Sequence, residues 1–107
     1  WWWNRSEKQG SNVKTIWKVK LERDVDDIVK VEVPKGSKFL SVQRQRGEDT
    51  AWFLCDPNEP RETKYILWVG TGYGINEELD LEYLGTTQVT LPNGAVFVSH
   101  YFEWVQK

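Results

Sequence analysis

From residue 13 onward the chain alternates apolar and polar side chains with a period of two, and the pattern restarts after each cluster of turn residues. Val13, Thr15, Trp17, Val19 and Leu21 share one parity, while Lys14, Lys18 and Lys20 occupy the other. Successive side chains of a strand point to opposite faces, so this spacing predicts a half-buried strand, and lysines along its polar side suit an edge. After the acidic turn Asp24-Val25-Asp26-Asp27, the set Val29, Val31 and Val33, with Lys30 and Glu32 between, predicts a second strand.

The turn chemistry extends the pattern. Pro34-Lys35-Gly36 and Pro92-Asn93-Gly94 each place a Pro where φ is fixed and a Gly where φ is positive, as tight hairpin turns require. Residues 39–45, 50–55 and 64–69 read as further strands, separated by Gly47-Glu48-Asp49 and by the loop 56–60. In residues 50–55 and 64–69 both parities are apolar, which predicts strands covered on two faces. Residues 82–91 and 95–104 complete a last hairpin, and residues 76–81 could form one short helical turn capped by Asn76. The expectation is an all-β domain over residues 13–107, of about seven short, mainly antiparallel strands in a sandwich or small barrel, preceded by an arm over residues 1–12.

At 107 residues the chain has room for one core. Fourteen basic residues stand against sixteen acidic ones, a balance that disfavours nucleic acid or an anionic membrane as the main partner. No run approaches the ~20 apolar residues of a membrane span. The first residues lack the pattern of a signal peptide, so an intracellular setting is expected, and the start without Met reads as truncated, processed or engineered. Seven Trp, four Tyr and four Phe are many for this length, and the strand positions of Trp17, Trp52, Trp68 and Trp104 predict a tryptophan-rich core.

No residues assemble into a catalytic site by spacing, and neither a metal nor another cofactor is expected. The single cysteine, Cys55, can build neither an internal disulfide nor a cysteine-based zinc site. It reads as a small buried hydrophobe. Ser6, Ser11, Ser37, Ser41 and Ser99 lack a nucleophile-elbow context, and Ser99 falls on the face opposite His100. His100 is the only histidine. It shares parity with Val98, Phe102 and Trp104, which suits a partly buried, hydrogen-bonded side chain better than an acid or base working with Asp56 or Glu103. Gly70-Thr71-Gly72-Tyr73-Gly74 follows a strand but lacks the spacing of a dinucleotide fingerprint. With His100 it is a candidate ligand loop, set against the simpler reading of a strand exit that needs glycine.

Three charge clusters and a tryptophan run bear on partners, although edge lysines chiefly prevent aggregation and acidic runs are mostly solvated loops. Arg5, Lys8, Lys14, Lys18 and Lys20 oppose one acid in the first twenty residues, and Lys35, Lys38, Arg44 and Arg46 form a second basic cluster. Glu77, Glu78, Asp80 and Glu82 are an acidic one. Trp1-Trp2-Trp3 is the least ordinary feature, since exposed indoles call for a docking surface on this chain, a second copy or a partner. Trp1, Trp2, Trp3, Arg44 and Arg46 are the candidate protein-binding residues.

The order of motifs over residues 13–103 resembles a family of short, functionally uncharacterised proteins encoded by tailed phages and prophages. The matching pieces are Ile16-Trp17-Lys18; Val33-Pro34-Lys35-Gly36 running into Leu40-Ser41-Val42-Gln43; Ala51-Trp52-Phe53-Leu54 with Asp56-Pro57; Gly70-Thr71-Gly72; Tyr83-Leu84-Gly85-Thr86; and Val98-Ser99-His100-Tyr101-Phe102-Glu103. That family often carries His directly after the Thr-Gly pair, where this chain has Tyr73. The resemblance implies a compact β fold and a phage setting. The expected function is that of a non-enzymatic accessory protein binding a host or defence protein in the host cytoplasm. The alternatives are a virion component self-associating through its arm, and a small-ligand or nucleotide-binding domain.

Overall fold

The computed structural model describes residues 13–23 and 26–106. Seven strands follow one another: β1 (Thr15–Lys20), β2 (Ile28–Pro34), β3 (Lys38–Gln45), β4 (Glu48–Cys55), β5 (Arg61–Gly70), β6 (Leu81–Thr90) and β7 (Val96–Trp104). They form two antiparallel sheets, β1-β4-β3 and β2-β5-β7-β6, packed as a sandwich. The lysine-bearing β1 is an edge strand, as its polar side predicts.

The turns work as their residues require. Gly36, at φ +83°, closes the β2–β3 turn, where Ser37 N–H and Oγ–H both donate to Pro34 O at 3.1 and 2.5 Å. Gly94, at φ +87°, closes the β6–β7 turn with its N–H on Leu91 O at 2.9 Å. Residues 76–79 make a turn and no helix, with Glu78 N–H on Asn76 Oδ1 at 2.9 Å.

The core lies between the sheets. Val29, Val31 and Val33 of β2, Ile66 and Trp68 of β5 and Tyr101 of β7 meet Val42 of β3, Ala51 and Phe53 of β4, and Leu21 just beyond β1. Phe39 packs edge-on against Phe53 at 5.8 Å. At one edge of the sandwich β3 approaches β6. A register shift between Tyr83 and Gly85 sets Gly85 opposite Tyr101, facing Val42 with no room for a Cβ.

Three sequence expectations need correction. Of the four strand tryptophans only Trp68 is in the buried core. Trp17 is half-buried, with the Arg61 guanidinium 4.5 Å from its ring, and Trp52 and Trp104 lie on the outer faces of their sheets. Branched aliphatics fill the narrow space between the sheets instead. The double-sided cover expected for β4 and β5 is also absent among the described residues, where no strand or helix lies over either outer face. Finally, Glu48 and Asp49 belong to β4 and not to a turn, which leaves Arg46, at φ +52°, and Gly47, at φ +80°, to reverse the chain.

Candidate functional site

Asp49 carries the main polar structure of the interior. It is 8 % exposed, at the start of β4 where the sandwich opens. Its Oδ1 accepts from Arg44 Nη1 at 2.8 Å, and its Oδ2 accepts from Thr87 Oγ1 at 2.9 Å and from the Tyr101 hydroxyl. Arg44 also donates to Gly47 O, and Leu21 N–H donates to Asp49 O at 2.9 Å. A buried carboxylate is tolerated only with such pairing, and this one ties both sheets together. Burial first, and then the bond to Asp49, hold the Tyr101 hydroxyl well above its ordinary range, with Arg23 and Arg44 pulling weakly the other way.

Above this network a cleft of about 230 Å³ opens at the end of the sandwich, its lining including Arg23, Arg44, Asp49, Trp68, Phe97 and Ser99. The Arg23 guanidinium lies 3.7 Å from the Trp68 ring centroid, a cation–π contact, and pairs with Asp27 at 3.2 Å. Phe97 stacks near-parallel on Trp68 at 5.9 Å, and Tyr73 meets Trp68 edge-on at the same distance. Beside the cleft, Tyr73 and Phe97 border an apolar notch of about 150 Å³.

The second feature is the outer face of the four-stranded sheet. Ile66, Trp68 and Tyr101 point inward, so Tyr65 and Leu67 of β5 and His100, Phe102 and Trp104 of β7 point out. Tyr65 meets Trp104 at 6.3 Å and Tyr83 of β6 meets Phe102 at 5.5 Å, both edge-on. Tyr83 is 59 % exposed. The acidic loop carrying Glu77, Glu78 and Asp80 is fastened beside this face by Val105 N–H on Asp80 O at 2.9 Å.

Among the described residues the expected site residues do not converge on one place. Trp1, Trp2 and Trp3 lie outside the described residues. Arg44 bonds Asp49 and Gly47 O, and Arg46 is exposed in the β3–β4 turn. In the candidate loop, Gly70 is buried against Trp68, Gly72 takes φ +91° and Tyr73 packs on Trp68, beside the cleft. Thr71 Oγ1 lies 2.7 Å from His100 Nε2 and Thr86 Oγ1 lies 3.0 Å from Nδ1, with the Tyr83 hydroxyl 2.5 Å from Thr86 Oγ1. Both ring nitrogens are thus taken up by hydroxyls on the outer face, away from Asp49, and Asp56 and Glu103 are not among the hydrogen-bond partners.

Cys55 is buried on the inner side of β4, where desolvation and then the Asp56 carboxylate raise its thiol. No group of three or more His, Cys, Asp or Glu is placed to hold a metal among the described residues. Sequence reasoning missed Asp49, Thr87, Tyr101, Arg23, Trp68 and Phe97 as site residues. The parity of residues 95–104 was the available signal for Phe97, Ser99 and Tyr101, which share the face opposite His100.

Fold and site together define a seven-stranded antiparallel β-sandwich with a polar cleft at one end and an aromatic outer sheet face. The chain belongs to the DUF7352 family, described as a domain of unknown function, whose model matches residues 12–107. No curated protein and no solved structure matches it.

Proposed function

We propose that this protein is a phage accessory protein that works by binding another protein, not by catalysis, and that the outer face of β5, β7 and β6 is its contact surface. The observation that carries the reading is the aromatic composition of that face. Tyr65, Tyr83, Phe102 and Trp104 project from an antiparallel sheet on the side where polar residues ordinarily meet water. Rigid aromatic side chains supply most of the energy at protein interfaces. The acidic residues Glu77 and Glu78 at one margin favour a partner whose apolar patch is rimmed by Lys or Arg. The phage setting rests on the resemblance of the six motif segments.

Affinity capture from bacterial lysate, with wild type beside Tyr83→Ser and Phe102→Ser, tests the assignment. A specific protein retained by wild type, weakened roughly thirty-fold (about 2 kcal/mol) by either substitution and released by added salt, is the expected result. Identical capture by all three proteins overturns it.

A further inference from the structure

Among the described residues five polar side chains are buried: Ser37, Asp49, Thr50, Thr87 and Ser99. Ser37 donates to Pro34 O, Thr50 to Glu48 O, and Thr87 to Asp49. Ser99, 6 % exposed, is the exception: its hydroxyl has no hydrogen-bond partner among the described residues, and it lines the end cleft. A buried hydroxyl without a partner costs free energy, so its retention in a cleft wall points to a group arriving from outside.

The surroundings narrow the chemistry. Asp49 accepts three bonds out of about four that a carboxylate can accept, and Arg44 spends two of its five N–H donors. Beside Ser99, which can donate and accept, the cleft therefore offers a spare acceptor and spare donors. Vicinal hydroxyl groups, each donor and acceptor at once, match that mixture. Of the charged side chains lining the cleft, all but Glu22 are compensated within the protein, Arg44 and Asp49 by each other, Glu48 by Lys20 at 3.1 Å, and Arg23 by Asp27. An anion entering here would shed its hydration with Glu22 beside it, and a cation would meet two arginines. Phe97, 42 % exposed at the mouth, presents an apolar ring surface.

We infer that the end cleft binds a neutral sugar ring, with Ser99, Asp49 and Arg44 hydrogen-bonding its hydroxyls and Phe97 covering its C–H face. This site lies on the inner side of the four-stranded sheet and does not depend on the protein-binding assignment of the outer face.

The full-length 15N-labelled protein is titrated separately with glucose, galactose, mannose and N-acetylglucosamine, and with inorganic phosphate and uridine as contrasts. At least one sugar is expected to give saturable shifts confined to Phe97, Ser99, Arg44, Asp49 and the Trp68 indole, with none from phosphate. Ser99→Ala is expected to abolish these shifts while leaving the thermal midpoint unchanged or higher, because the alanine removes an unsatisfied buried hydroxyl. Absence of saturable shifts with all four sugars overturns the inference. So do shifts that survive Ser99→Ala, tighter binding of phosphate or uridine than of any sugar, or a Ser99→Ala protein of lower thermal midpoint, which would give Ser99 a structural task.

Discussion

Asp49 accepts from Arg44, Thr87 and Tyr101, which reach it from three different strands. Removing a partnered buried charge leaves its donors unsatisfied, so Asp49→Ala is expected to cost about 3–5 kcal/mol in urea denaturation. A loss below about 1 kcal/mol would show that the network does not hold the sheets. Tyr101 adds a pH signature. Its hydroxyl is raised above the ordinary value of 10, so the folded chain keeps a proton that the unfolded chain releases first. The contribution of the bond is whole below pH 10 and is lost as pH rises above it. The urea midpoint of wild type is therefore expected to fall more steeply in this alkaline range than that of Tyr101→Phe, and parallel curves would contradict the assignment. None of this network could be read from spacing. Asp49 follows Arg46-Gly47 and looks like part of the turn, and its partners Thr87 and Tyr101 lie 38 and 52 residues away.

Most strands were legible from parity and punctuation, since a two-residue period bounded by Pro-x-Gly turns leaves few alternatives. Parity sorts residues onto two faces but does not label which face is inside. In β4 and β5 both faces are apolar, so Trp52 and Tyr65 looked as internal as Phe53 and Ile66, and Trp104 of β7 was assigned to the core in the same way. Only packing between the sheets separates them. The irregularities were equally hidden. The shift between Tyr83 and Gly85 turns a glycine toward Val42, where a Cβ would collide with the valine Cγ1. Gly85→Ala is expected to destabilise by roughly 1–3 kcal/mol, as overpacking of a closed core does. Adding Val42→Ala, which removes the colliding methyl, should make the double variant more stable than additivity predicts. Strict additivity in denaturation would show that the strands do not press together at this point.

The whole molecule presents two outer faces of different character. The β1-β4-β3 sheet shows Trp52 and Ile16 among Lys18, Lys38 and Gln43, a mixed surface with its lysines toward solvent. The opposite sheet shows paired aromatic rings beside an acidic loop. The core is closed without Tyr83, Phe102 or Trp104, so these rings are not needed to complete it. The central claim is that this second face is the binding surface, and a matched pair of substitutions tests it most directly. Partner retention is measured in parallel for Tyr83→Ser on the aromatic face and Ile16→Ser on the other, after both variants are shown to keep the wild-type thermal midpoint. The account predicts that retention falls at least tenfold for Tyr83→Ser and stays at the wild-type level for Ile16→Ser, a loss of roughly 1.4 kcal/mol or more confined to one face. Equal retention by the two variants, or a loss confined to Ile16→Ser, would contradict it.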